Sequence, residues 1–442
     1  MAPVQRARQR LATAVAVLCA AALSACVGGP DGARATRRAA PVQAELRPPG
    51  DTGAPLLPPA PLPDGPGQGE SVQVSPLQAP ALQAPALPAA GPENRIGTGT
   101  VRVALVVPLS GPGESVGTAL RNAAQLAYEE GGRPDLTILV EDDRGTPEGA
   151  REATQRAVKE GADLVLGPLF AGSVQAATGP ARAAGKPVIA FSTDAGVAAR
   201  GVYLLSFLPQ PEVERVVAEA VAGGRRSFAA LIPESVYGNA VEAQFRETVA
   251  RKGARLAAVE RYAPGAPGPA IGRLSGVITG PRPTADALFI PETAEGLPIV
   301  AAALTKAGFS PAQVRPLGTA PWNDPALFAL PALQGGRFAA PDRAGFSNFS
   351  GRYQARFGTS PPRVASLAFD AVMLTAALSR QYGTQRFAET TLTSPAGFSG
   401  VDGTFRFRAD GLSDRALAVY EIRNNAATPV SPAPRTLGKP GL

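Results

Sequence analysis

Apolar runs alternating with longer amphipathic segments constrain this chain more than any other feature. VRVALVVPL (Val101 to Leu109), LTILVEDD (Leu136 to Asp143), ADLVLGP (Ala162 to Pro168) and KPVIAFST (Lys186 to Thr193) are nearly continuous apolar stretches. Strands of that kind belong in a parallel sheet covered on both faces. Between them Ser115 to Glu130, Glu148 to Lys159 and Ser173 to Ala184 read as helices, with Ala119, Ala123 and Leu126 on one face. After the punctuated FLPQPE at Phe207 to Glu212 a second series begins, with strands at Phe228 to Pro233, Leu256 to Tyr262 and Ala285 to Pro291. Its helices are expected at Glu212 to Ala222, Tyr237 to Arg251 and Ala294 to Ala307. VRPLGTAPW (Val314 to Trp322), helices at Gly345 to Phe357 and Arg363 to Arg380, and a late hairpin at Gly403 to Ile422 complete the body. Roughly 330 residues exceed one comfortable core, so the fold class is α/β with two doubly wound, Rossmann-like lobes.

The two ends of the chain read differently. Arg6, Arg8 and Arg10 precede an apolar run from Leu11 to Leu23, a secretory signal too short to span a bilayer by the ~20-residue criterion. The run ends in Leu23-Ser24-Ala25-Cys26, which resembles a bacterial lipobox and implies lipidation of Cys26 after removal of residues 1–25. Cleavage there discards Cys19 and leaves one thiol, so neither an internal disulfide nor a cysteine pair for a metal is available. From 26 to 98 the chain is dominated by Pro, Ala, Gly and Gln, with the near-repeat LQAPALQAPALPAAG, and reads as a disordered linker. About 70 residues at ~3.1 Å each reach roughly 200 Å fully extended, against ~45 Å for a flexible coil. The Pro-rich stretch at 425–442 reads as a frayed tail.

The 442 residues include no histidine, which removes the commonest general base and metal ligand and every Ser-His or Cys-His pair. No paired-acid or lysine-serine constellation replaces it, so an enzyme is the least favoured class, and no cofactor or metal is expected. The net charge of +7 falls to +4 once the three signal arginines are lost, and the remaining positive residues are scattered. Nucleic acid is therefore not an expected partner.

In open α/β sheets a ligand binds beyond the carboxyl ends of the strands. That rule selects Ser110 to Gly113, Phe170 to Ser173 and Ser192 to Asp194 in the first series, and Glu234 to Tyr237 and Glu292 to Thr293 in the second. Ser173 opens an expected helix, where it can present its hydroxyl beside N–H groups that favour a carboxylate, or simply cap the helix. Asp194 can receive an ammonium or cap the next turn. Glu292 can do the former or be a solvated strand end, and Tyr237 and Trp322 can line a cleft or pack within their lobe. Glu141, Asp142 and Asp143 read as a solvated strand end leading into a turn, and Asp370 as a helix residue with its own partners.

PLSGPGESVG, LGPLFAGS, AFSTDAG, ALIPESVYGNAVEAQFRETVARKGA and FSGVDGTFRFRADG, in that order, resemble the type I periplasmic binding fold of leucine/isoleucine/valine-binding proteins, the Venus flytrap architecture. With the lipobox and long linker, the chain is similar to lipoproteins called penicillin-binding protein activators. The resemblance implies three crossings, near Leu208, Gly318 and Ser394, with 99–208 plus 318–393 in lobe 1 and 209–317 plus 394–424 in lobe 2. It implies that the turn at Ser173 takes an amino-acid carboxylate and that Ser192, Thr193 and Asp194 contact ammonium and carboxylate. By the same resemblance Tyr237 closes over the ligand, and Glu292 pairs with an amino group. Ser110 is the remaining candidate ligand contact. The GESVG turn lacks the aromatic that amino-acid receptors of this fold often place over the ligand side chain.

Two functions follow from that resemblance. One is a non-enzymatic, lipid-anchored regulator of a peptidoglycan synthase, a penicillin-binding protein, reaching its partner from the outer membrane on the long linker. Val27 after the lipidated cysteine fits outer-membrane sorting. The alternative is a leucine-binding-type receptor that delivers amino acids or similar small polar solutes to an ABC permease.

Overall fold

The structure, a computed structural model, describes residues 94–437; the signal, Cys26 and nearly all of the expected linker lie outside them. The first sheet is formed by β1 (Arg95–Ile96), β2 (Val101–Val107), β3 (Leu136–Asp142), β4 (Val165–Leu166), β5 (Val188–Ala190) and β6 (Val202–Leu204). Their spatial order is β1-β3-β2-β4-β5-β6, all parallel except β1, which runs antiparallel to β3 with Arg95 opposite Leu139. Lobe 1 thus begins inside the stretch expected to be linker, because even two residues can close the open edge of β3. In the seven-residue β2 only Arg102 is exposed. Helix α1 (Glu114–Glu130) covers one face of this sheet, and α2 (Pro147–Lys159) and α3 (Ala171–Ala183) cover the other. Local chemistry starts α2 where Thr146 accepts the Gly149 N–H at 3.0 Å and Pro147 takes the first helical position.

The second sheet contains β7 (Ser227–Pro233), β8 (Arg255–Tyr262), β9 (Ala287–Phe289), β10 (Arg315–Gly318) and β11 (Arg337–Ala340), flanked by α4 (Pro209–Ala222), α5 (Val236–Arg251), α6 (Gly268–Ile278) and α7 (Leu297–Lys306). After β11 the chain forms α8 (Arg343–Phe357), α9 (Ala365–Tyr382) and the short α10 (Glu389–Leu392), and α8 and α9 pack on α1 in lobe 1. A small antiparallel sheet of β12 (Phe398–Gly400), β13 (Gly403–Phe407) and β14 (Ser413–Arg415) follows, with Phe405 and Phe407 in the lobe 1 core. Finally β15 (Ala418–Arg423) and β16 (Ala426–Ser431) return to the second sheet, whose order is β16-β15-β11-β10-β9-β7-β8.

Three boundaries differ from expectation. Gly318 ends a strand inside lobe 2 and β11 lies parallel beside it, so the second crossing is at Pro341. A four-residue strand in GGRFAAP is too short to announce itself by pattern. The third crossing falls at Ala416–Leu417 rather than Ser394, because β13 and β14 buttress lobe 1 before β15 joins β11; the expected single hairpin is therefore divided between the lobes. The chain also continues as structure beyond Asn424. Asn424 and Asn425 take φ of 52° and 58°, forming a two-residue loop that lets β16 pair with β15. Residues from all three crossings, Phe207, Pro341 and Leu417 among them, line one small cavity.

Candidate functional site

Each sheet reverses its winding direction at one point, between β2 and β4 in lobe 1 and between β7 and β9 in lobe 2. The turns beyond those strands are where a ligand meets backbone and side chains not needed for the sheet. In lobe 1 the first such turn is held by Asp142, which accepts from the Leu109 and Ser110 N–H groups at 2.8 and 3.2 Å, from the Ser110 hydroxyl at 2.6 Å and from the Arg144 N–H at 2.8 Å. Burial acts to raise its carboxyl, but these hydrogen bonds outweigh it and hold Asp142 below the usual range. Ser110 is thereby engaged in shaping its own loop. Asp143 is fully buried, accepts the Gly145 N–H at 2.8 Å and is pushed up to about 6 by burial, with the Asp142 charge adding to the shift. The acidic run thus clamps a loop through Asp142, half-buried, and Asp143, fully buried, rather than forming a solvated strand end, and Glu141 keeps a surface partner, Arg156.

The second lobe 1 turn follows β4. Gly167 has a φ of +85° and faces the Val106 carbonyl so closely that no side chain fits there. Helix α3 starts at Ala171 with Phe170 as its N-cap, so Ser173 sits in the first turn rather than at the cap. It is 1% exposed, and its hydroxyl has no hydrogen-bond partner. The Val174 N–H is bonded to the Phe170 carbonyl, which places the N–H groups of Ala171, Gly172 and Ser173 among the orphan donors of a helix start. Phe170 is 37% exposed, and its ring lies where a Cβ on Gly113 would meet it at 2.7 Å. Beyond β5, Ser192 is buried and accepts the Asp194 N–H at 3.2 Å, Thr193 is exposed, and Asp194 caps Gly196 at 2.8 Å.

In lobe 2, Ser235 caps α5 and sets Tyr237 at its second position, with the phenol oxygen 2.6 Å from the Thr319 hydroxyl. Burial raises the Tyr237 phenol above its ordinary value. Glu292 is buried and accepts from the Tyr262 hydroxyl and from the Thr293 N–H at 2.7 Å, so its carboxylate is engaged within its own lobe. Trp322 is fully buried in the lobe 2 core and donates its indole N–H to the Ile290 carbonyl at 3.0 Å.

A cavity of about 350 Å³ opens at the hinge end of the cleft, lined by Phe207, Glu212, Tyr237, Asn323 and Pro341 and, from lobe 1, by Arg363. Of the sequence candidates, only Tyr237 lines it; Ser110, Ser173, Ser192, Thr193, Asp194 and Glu292 do not. Glu212, in the first turn of α4, is 5% exposed and accepts the Ala320 N–H at 2.9 Å. Burial pushes its carboxyl up to about 8 against the opposing charges of Arg363 and Arg415. Arg363 pairs with the fully buried Asp402, which also accepts the Ser366 hydroxyl at 2.6 Å. Both guanidinium groups stack about Phe207, with Cζ of Arg363 5.6 Å and Cζ of Arg415 5.1 Å from the ring centroid. Arg415 is 7% exposed; it reaches the Asp402 carbonyl at 3.3 Å through Nη1, while Nε and Nη2 have no hydrogen-bond partner.

Glu212, Arg363 and Arg415 were not candidates on sequence. A first-turn acid after FLPQP, an arginine ahead of a helix and an arginine in a hairpin that also carries Arg406, Arg408, Asp410 and Asp414 all look ordinary. Asp370 accepts the Val401 N–H at 2.8 Å, leaves its other oxygen without a hydrogen-bond partner, and is pushed up to about 7 by burial. Among the described residues no group of three His, Cys, Asp or Glu is arranged to hold a metal ion.

The profile of a family described as "Periplasmic binding protein" matches residues 100–427. No curated protein matches the chain in sequence. Among solved structures, a branched-chain amino acid ABC transporter protein from Rhodospirillum rubrum is similar over 75% of this chain and 99% of its own, at 19% identity and a TM-score of 0.65. The transporter substrate binding protein LivJ from Streptococcus pneumoniae, in complex with isoleucine, is 20% identical over 75% of this chain and 100% of its own, with a TM-score of 0.52. A solute binding protein of an ABC transporter from R. palustris, in complex with benzoate, is 19% identical over 77% and 98%, with a TM-score of 0.53. Identities this low establish a shared two-lobed α/β fold.

Proposed function

The chain belongs to the periplasmic binding protein family, and from that premise we propose that it is a solute receptor that captures a small ligand between its lobes and delivers it to an ABC permease. One observation carries this reading: the hinge-end cavity is walled by both lobes, with Glu212 and Tyr237 on one side and Arg363 on the other. A ligand held there touches both halves, and only such a ligand has a reason to favour the closed form. The solved relatives bound to isoleucine and benzoate support a small carboxylate as cargo. A body without histidine has little with which to transform it. The setting we propose is the periplasm, with the body anchored through Cys26.

Regulation of a peptidoglycan synthase, the function first expected, rests on the lipobox and linker, nearly all of which lie outside the described residues. The relatives support the receptor reading over it. The discriminating experiment titrates the mature protein with a panel of amino acids and small aromatic and aliphatic carboxylates, followed by thermal shift and by small-angle scattering. Micromolar binding with a reduced radius of gyration is expected. A silent panel, together with capture of a peptidoglycan synthase by the lipidated protein, would hand the function to the regulator.

A further inference from the structure

We propose that the hinge-end cavity takes a small monocarboxylate with an apolar body and no ammonium group, its carboxylate seated between Arg363 and the carboxyl of Glu212. This rests on the receptor reading and narrows its ligand class.

Three observations lead there. First, neither of the acids that the resemblance assigns to an α-amino group lines the cavity: Asp194 caps Gly196, and Glu292 is held by Tyr262 and the Thr293 N–H. Second, Arg363 is the cationic side chain among the residues lining the cavity; its guanidinium lies 5.6 Å from the centroid of the Phe207 ring and pairs with Asp402 in lobe 1. A guanidinium on the wall offers donors to a carboxylate and repels an ammonium. Third, apart from Tyr237 and Asn323 the remaining wall is apolar, formed by Phe207, Pro209, Ala320, Pro321, Ala340 and Pro341, which suits a hydrocarbon body.

Glu212 then has a definite task. Its one carboxyl oxygen accepts from Ala320, and burial keeps the group protonated up to about pH 8, so the other oxygen can donate to a bound carboxylate. The groups around it are the Tyr237 phenol on α5, Arg363 ahead of α9 and Arg415 on β14, with Asp402 and Asp370 behind the arginines. Burial lifts the Tyr237 phenol well above the working range and acts to lower Arg415. Asp370 is the other group here that titrates near neutrality.

The experiment compares 4-methylpentanoate, benzoate and L-leucine, the last being the first with an α-ammonium added. Calorimetry on the mature protein is run from about pH 6 to about pH 9. The expected result is 4-methylpentanoate binding at least about tenfold more tightly than L-leucine, and weakening as the pH rises through about 8 because an ionised Glu212 repels it. Glu212→Gln should flatten that pH profile. Arg363→Met alone strands Asp402, so it is made together with Asp402→Asn, and the pair should weaken 4-methylpentanoate by about 100-fold. Tighter binding of L-leucine, with closure, would overturn the proposal and leave the receptor reading intact. A flat pH profile in the unaltered protein, or silence with all three probes, would also overturn it; only silence across the wider panel removes the receptor reading as well.

Discussion

Asp142, at the end of the first sheet, and Glu212, at the hinge, are carboxylates that burial acts to raise, and their surroundings treat them oppositely. Asp142 accepts four hydrogen bonds from its own loop and is held below the usual range. Glu212 accepts a single backbone N–H and is pushed up to about 8. The difference separates polar groups that build the scaffold from polar groups that the scaffold leaves with capacity to spare. Around Asp142 every partner is local, so the loop is complete without a ligand. Glu212 has one hydrogen-bond partner and the neighbouring Arg415 keeps two N–H-bearing atoms without acceptors, which is costly in a protein interior and persists where something outside the chain completes the set.

The sharpest way to break this contrast is the pH dependence of stability. Because the folded-state value of Glu212 is raised, the folded protein holds a proton that the unfolded chain releases above about 4.5, so its contribution to stability is fully present below that pH and is lost as the pH rises toward about 8. Asp370, raised to about 7, acts in the same direction. The melting temperature is therefore expected to fall between about pH 5 and about pH 9, and to fall less in Glu212→Gln. The difference between the two proteins at the upper end is on the order of several kcal/mol. Parallel curves for the two proteins would mean that Glu212 is hydrated or paired and that the two carboxylates are not opposites at all.

Much of this fold was legible because each strand-turn-helix unit is a local pattern, and local patterns survive in a single sequence. Val101 to Val107 and Val236 to Arg251 were found nearly to the residue. What escaped was short or assembled at long range. The four residues of β11 carry too little alternation to be read, and so the second crossing was placed at Gly318. The hinge cluster takes Glu212 from α4, Arg363 from the entry to α9 and Arg415 from β14, and nothing in any one of those segments signals the other two. At the strand ends, position was readable and engagement was not: that Glu292 closes a strand follows from pattern, whereas its bond from Tyr262 depends on the lateral order of strands.

A second test acts on the completed side of the comparison. Asp142→Ala removes the acceptor for the Leu109, Ser110 and Arg144 N–H groups together, and the loop that carries Ser110 should loosen. Hydrogen bonds to a charged acceptor contribute about 1.5 to 3 kcal/mol each when buried, but Asp142 is only half-buried and water can replace some of them, so a total loss of about 3 kcal/mol is expected by denaturant titration. Binding of 4-methylpentanoate at the hinge should change little. A large loss of binding with little loss of stability would place the ligand against this loop instead.

The smallest effect concerns Ser173, which belongs by position to the completed side and by chemistry to the other. Its hydroxyl is buried with no hydrogen-bond partner, so replacing it by alanine removes a polar group that the fold does not satisfy and creates only a very small void. Stability should hold or rise by up to about 1 kcal/mol, since the cost of a buried, unpaired hydroxyl is relieved and alanine favours the helix. If Ser173→Ala instead weakens carboxylate binding tenfold while leaving stability unchanged, the hydroxyl is part of the receptor surface, and the orphan N–H groups at the start of α3 take the place here given to Arg363. The two positions therefore compete for the same carboxylate. One pair of variants, Ser173→Ala against Arg363→Met with Asp402→Asn, decides which end of the cleft holds it.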